Sequence, residues 1–158
     1  PSAGALSWNG ESDLRESDIF FGKIHYIGHR NAVKVGLSVL ENLSFWSQIS
    51  GGAGDQRALT SALKTFELDQ LADLPARFLS AGQARRLALA RLLVKPAPLW
   101  VLDEPATSLD IANETALQSA IHAHSTAGGM AVIATHEGVQ ADEKVLDMAI
   151  FGETAVAA

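Results

Sequence analysis

The chain has 158 residues, enough for one domain with a sizeable core, and its 47% hydrophobic and 19% charged residues make it too apolar for disorder. A net charge of −6 argues against a nucleic-acid surface, which would favour a basic face. Cysteine is absent, which removes disulfides, thiolate metal sites and the C-x-x-C-H haem attachment motif, and fits a reducing compartment.

The opening "PSAGALSWNGES" has neither the basic nor the apolar region of a secretory signal. It lacks an initiator Met, so the expectation is that the chain begins downstream of its gene's start. No apolar run reaches the length of about 18 residues that spans a bilayer. Residues 5–8 read as a short strand ending in the turn pair Asn9-Gly10, and polar residues 11–18 as a loop. "KIHYI" at 23–27 alternates as a strand. Ser38-Val39-Leu40-Glu41 is a capping box that opens a helix to about residue 49, with Leu40, Leu43 and Phe45 as apolar contacts. "SGGAGD" breaks it, and Asp55 caps a second helix whose apolar face is Leu59, Ala62, Leu63 and Phe66.

Ser80-Ala81-Gly82-Gln83 is a further capping box, and helix is expected from it to Val94, stopped by Pro96 and Pro98. Residues 99–103, "LWVLD", are a buried-type strand ended by a carboxylate. A helix over roughly 111–126 ends at Gly128-Gly129, "MAVIAT" follows as another buried strand, "VLDMAIF" as a last one, and 152–158 as a tail. Strand, helical middle (38–94), then strand–helix–strand–strand reads as an α/β domain over 1–151, with a mostly parallel core sheet, crossover helices and a helical subdomain to one side.

The chemistry concentrates in two places. Asp103 and Glu104 stand at the C-terminal end of a strand, where open parallel sheets bind ligands. One carboxylate there can hold Mg²⁺ and the other can polarise an attacking water. "LSAGQ" (79–83) opens a helix, and helix N-termini favour anions. Ser80 adds a hydroxyl, Gly82 allows close backbone approach, and Gln83 can bond both cap and ligand. Taken alone, the first reads equally well as an acidic strand end facing solvent, and the second reads as an ordinary capping box.

Their order changes the reading. "LSAGQ", then "LWVLDE", then Ser108-Leu109-Asp110, then a second apolar strand ending in Thr135-His136 resemble, motif by motif, the ATP-binding cassette (ABC) ATPases. The resemblance implies a P-loop NTPase-type nucleotide-binding domain that uses ATP and Mg²⁺. It implies that Asp103 helps hold Mg²⁺, that Glu104 is the catalytic base, and that His136 contacts the γ-phosphate. Ser80, Ala81, Gly82 and Gln83 would bind the nucleotide of a second ATPase subunit paired head to tail, with Asp110 linking the two sites. Ala81 stands where the signature usually has its first glycine. His29, after "KIHYIG", stands where most relatives have the Q-loop Gln, and there a neutral imidazole could accept from metal-bound water.

"YIGHRNAVKVGLSVLENLSFW" narrows the resemblance to the haem-exporter ATPases of bacterial cytochrome c maturation. These imply a peripheral ATPase on the cytoplasmic face of the inner membrane, bound to integral membrane subunits, with hydrolysis driving haem delivery or release of a haem-loaded chaperone. His25, His29, His122 and His124 show no haem-ligand spacing; His122 and His124, at i and i+2, do not share a helix face.

One part of the machine is missing. No G-x-x-x-x-G-K-[ST] phosphate loop occurs. "GGAGDQR" at 51–57 follows a helix and presents Asp55 where a lysine is needed. The expectation is a domain lacking its N-terminal strand–loop–helix unit of roughly 30 residues, unable by itself to hydrolyse ATP. Two other functions compete with a transport ATPase: a soluble ABC protein of translation or DNA repair, which the acidic balance disfavours, and a non-catalytic module lending its signature helix to a complete partner.

Overall fold

The structure is a computed structural model. It describes residues 7–10, 21–49, 54–94 and 97–136, together with Lys144 and Leu146. Three parallel strands run in the order β1 (Ile24–Ile27), β2 (Leu99–Asp103), β3 (Met130–Ala134). Tyr26 faces Val101, and Val101 faces Val132, so one row of side chains crosses the sheet. The connection from β1 to β2 carries three helices: α1 (Val39–Ile49), α2 (Gln56–Thr65) and α3 (Ala81–Ala90). A fourth, α4 (Ile111–Thr126), carries the chain from β2 back to β3.

The helices start where their caps place them. Ser38 Oγ accepts from the Glu41 N–H while Glu41 accepts from the Ser38 N–H, and the Asp55 side chain accepts from the Arg57 N–H. Asn42, buried in α1, fastens the incoming loop. It accepts from the Lys34 N–H at 2.7 Å and donates to the carbonyls of Lys34, Leu37 and Ser38.

One hydrophobic cluster joins the helical segment to the sheet. Val39, Leu43, Leu59, Leu63, Phe66, Leu68, Leu87 and Leu89 are continuous with Ile27, Trp100 and Leu102 of the sheet and Leu117 of α4. Burying a side chain such as Leu or Phe stabilises by about 1.5–3 kcal/mol. The cluster therefore fixes the signature helix against the sheet that carries the carboxylates.

Two expectations need correction. Helix α3 ends at Ala90 and tightens into a 3₁₀ turn over Arg91–Leu93 rather than running on to Val94. Phe45, half-buried in α1, makes its apolar contact edge-on to Trp46, ring centroids 5.4 Å apart. Strand β3 is not a buried strand. Met130 and Val132 are 49% and 59% exposed, because among the described residues only β2 pairs with it and only Ala131 and Ile133 pack on the core. Asn9 and Gly10 form the expected turn, with φ of 52° and 84°. The expected strand at 5–8 is described only at Ser7 and Trp8. Loop 11–18 and tail 152–158 lie outside the described residues, and of the last strand only the exposed Leu146 is described.

Candidate functional site

At the end of β2 the chain leaves the sheet abruptly. The Glu104 N–H still pairs with the Ala134 carbonyl, at 2.8 Å, but its φ is +46°, a left-handed conformation that a non-glycine residue adopts only at a cost of about 1–2 kcal/mol. Just beyond the end of β3, His136 Nδ1 lies 2.8 Å from Glu104 Oε1. An ionised carboxylate only accepts, so Nδ1 carries the hydrogen and donates it. The His136 side chain is 80% exposed and that of Glu104 27% exposed.

Asp103 is half-buried, and its carboxylate makes no hydrogen bond among the described residues, so its oxygens are available to a cation. This donor suits Mg²⁺, which takes one or two carboxylates and completes its shell from phosphate and water. His29 is exposed in the turn after β1 and hydrogen-bonds to neither carboxylate. An imidazole is a poor direct ligand for Mg²⁺, so any part it plays there passes through water.

The second half-site is the N-terminus of α3. Ser80 Oγ accepts from the Gln83 N–H at 3.2 Å and Gln83 Oε1 accepts from the Ser80 N–H at 2.9 Å, completing the predicted capping box. The box consumes acceptors and leaves donors: the Ser80 O–H, the Gln83 side-chain N–H groups, and the first-turn N–H groups of Ala81 and Gly82, which have no intrahelical partner. Ser80, Gly82, Gln83, Arg86, Ser108, Leu109 and Asp110 line a cleft of about 400 Å³. Ala81 is exposed beside it. Asp110 caps α4 by accepting through Oδ1 from both the backbone N–H and the side chain of Asn113. The Asn113 backbone bond first, then its side chain, hold the Asp110 carboxyl below the usual carboxylate range. The structure thus groups Ser80, Gly82, Gln83 and Asp110 in one cleft, while Glu104 and His136 pair outside its lining residues.

The arginines of the signature helix and its last turn anchor it to its surroundings. Arg86 reaches the Phe66 carbonyl at 3.0 Å and lines the cleft. Arg91 lies 4.0 Å above the Trp46 ring, and burial pushes its guanidinium down to about 10. Arg85 is 4% exposed. Its Nε donates to Pro105 O (3.2 Å), Nη1 to Gly28 O (2.8 Å) and Asn31 Oδ1 (3.2 Å), and Nη2 to Asp103 O (2.8 Å) and Glu104 O (2.7 Å). Sequence reasoning missed Arg85 and Asn31. The signal was there: Arg85 falls three and four residues before the buried Ala88 and Leu89, on the apolar stripe of α3. Among the remaining histidines, His124 stacks flat on Trp100, ring centroids 4.0 Å apart, which is a packing role.

A carboxylate-tipped parallel strand with a histidine on its second acid, beside a donor-rich helix end, is the arrangement of an ATP-binding cassette. The family model described as ABC transporter matches residues 1–107, and the chain belongs to that family. It is similar to the "Cytochrome c biogenesis ATP-binding export protein CcmA" of Rhodospirillum rubrum, 46% identical over 139 residues, covering 88% of this chain and 59% of the relative. The protein of the same name from Paramagnetospirillum magneticum is 45% identical over 141 residues, covering 88% and 65%. The chain thus spans less than two thirds of the length of these two relatives. Among solved structures, a putative ABC transporter ATP-binding protein of Pyrococcus furiosus matches at TM-score 0.67 and 25% identity, covering 76% of this chain and 60% of that one. A dimeric ATP-binding cassette in a post-hydrolysis state with ADP and Pi matches in fold at TM-score 0.75 and 23% identity, covering 87% and 64%.

Proposed function

We propose that this chain supplies the hydrolytic and signature parts of an ABC ATPase that powers an export step in cytochrome c biogenesis, its turnover coupled to delivery of haem or release of a haem-loaded chaperone. The observation that carries the reading is the 2.8 Å contact of His136 with Glu104 beside the open Asp103 carboxylate. Glu104 takes the proton of the attacking water. His136 holds that carboxylate through Nδ1 and turns Nε2 toward the γ-phosphate side. Asp103 is the residue placed to hold Mg²⁺, with His29 reaching it through water; the bound ion would neutralise phosphate charge. Ser80, Ala81, Gly82 and Gln83 present their donors to the triphosphate of a second subunit, and Asp110 faces the same opening. The Glu104–His136 pair and the signature cleft share no residue, which favours head-to-tail pairing, in which each half-site is completed by its counterpart.

No helix of the described residues is long and apolar enough to cross a membrane. In this reading the chain sits peripherally on the cytoplasmic face of the inner membrane through integral membrane subunits. The intact signature cleft also supports a second reading, in which the chain lends that cleft to a loop-bearing partner without hydrolysing ATP itself.

The test is MgATP turnover by a fusion that places the phosphate-loop unit of an ABC ATPase ahead of this chain, with Glu104 and with Glu104→Gln, and by the unfused chain mixed with an intact ABC ATPase subunit, followed by co-purification with integral membrane proteins. Turnover of the fusion that Glu104→Gln abolishes is the expected result. Stimulation of the intact subunit by the unfused chain, with no turnover of the fusion, selects the second reading, and neither activity overturns both.

A further inference from the structure

We propose that Arg85 is the positioning residue of the hydrolytic centre, clamping the peptide of Glu104 and the turn at Gly28–Asn31 onto the signature helix so that the three move as one body. The proposal rests on the reading of Glu104 as the base. A guanidinium has five N–H donors in a rigid plane, and here all five have acceptors: three consecutive carbonyls at Asp103, Glu104 and Pro105, one carbonyl at Gly28, and Asn31 Oδ1. Three successive carbonyls can converge on one planar group only if the chain turns sharply, and the left-handed φ of Glu104 is that turn. The clamp therefore offsets the strain of the conformation that aims Glu104 at His136.

The burial makes the arrangement consequential. Arg85 sits on the inner face of α3, five residues after Ser80, so any tilt of the capped helix end must either carry the Glu104 peptide with it or leave buried donors unpaired. Buried unpaired donors are expensive. A bound anion at Ser80 and the geometry of Glu104 are thus linked through one buried side chain.

The experiment needs no nucleotide, so its outcome is separate from that of the ATPase reading. In the unmodified chain, a saturated guanidinium predicts separate nitrogen-bound proton signals for the two Nη groups of Arg85, with rotation about its Cζ–Nε bond arrested. A single averaged signal would overturn the proposal, whatever the variants do. In Arg85→Gln and Arg85→Lys, amide exchange at Glu104, Thr107 and Leu109 should quicken about tenfold, as expected for loss of a buried hydrogen-bonded anchor, while Leu63 in α2 and Leu117 in α4 keep their protection. The Nδ1–H signature of the His136 ring, read at one fixed pH, should weaken in both variants, which a merely structural arginine would not cause. Lysine retains the charge without the fork, so wild-type behaviour of Arg85→Lys, or a uniform rise in exchange over the whole chain, would also overturn it.

Discussion

Gly82 and Ser108 pack so closely that a Cβ on Gly82 would lie 2.9 Å from the Ser108 carbonyl oxygen. The contact ties the signature helix to the loop before Asp110 within one chain, and Ser108 meets it in a left-handed conformation, φ 67°. In an ordinary helix, Gly→Ala stabilises by roughly 0.5–1 kcal/mol. Here the sign should reverse: Gly82→Ala is expected to destabilise by about 1–3 kcal/mol, the range for overpacking, because the neighbour is backbone. Gly36 has nothing within 4 Å of its virtual Cβ and no positive φ, so Gly36→Ala should instead gain about 0.4–1 kcal/mol. Thermal melts of the two variants, with opposite shifts, check the pair.

The cap on α4 gives a pH signature. Asp110 is held below the ordinary carboxylate range mainly by the Asn113 N–H. A depressed carboxyl stabilises the fold fully above its unfolded value, about 3.9 for Asp, and that contribution fades as pH falls through the lower folded value. Asp110→Asn keeps a cap that does not titrate. The melting-temperature difference between wild type and Asp110→Asn should therefore be constant near neutrality and shrink as the pH falls below about 4. A difference that stays flat into that acid range would contradict the geometry of the cap.

Asn42 is 1% exposed, and its side chain makes four hydrogen bonds to the loop between the His29 turn and α1. Asn42→Ala leaves the Lys34 N–H and the carbonyls it served without their partner. A cost of about 1–3 kcal/mol follows from leaving such groups unsatisfied. Urea denaturation should show a lower midpoint with an unchanged slope, since the surface exposed on unfolding is nearly the same.

What the sequence made legible was local. The boxes at Ser38 and Ser80, the cap at Asp55 and the strand Leu99–Asp103 are each specified within a few residues, and all of them form. The long-range contacts were not legible. Arg85 gathers acceptors from 18 to 57 residues away, so no window around "ARR" reveals them. The exposure of β3 depends on what lies beside and above it, and "MAVIA" reads the same at an edge as in the interior. His136 was placed from the family resemblance; that it bonds Glu104 through Nδ1 took a structure, since 32 residues separate them.

Glu104 separates stability from chemistry. Its left-handed backbone would cost a glycine nothing, and its side chain contributes one contact to a largely exposed histidine. Glu104→Gly should therefore be no less stable than wild type, with relief of up to about 1–2 kcal/mol of backbone strain set against the lost contact. Glu104→Gln keeps the strain and can still accept from His136, so it should melt close to wild type. In the fusion with a phosphate-loop unit, both variants should lose turnover, by the roughly 10²–10⁴-fold a general base contributes. Calorimetric melts and initial rates on the same preparations decide it. A glycine variant markedly less stable than the glutamine one would mean that the carboxylate holds the fold together rather than waiting, under strain, for a water.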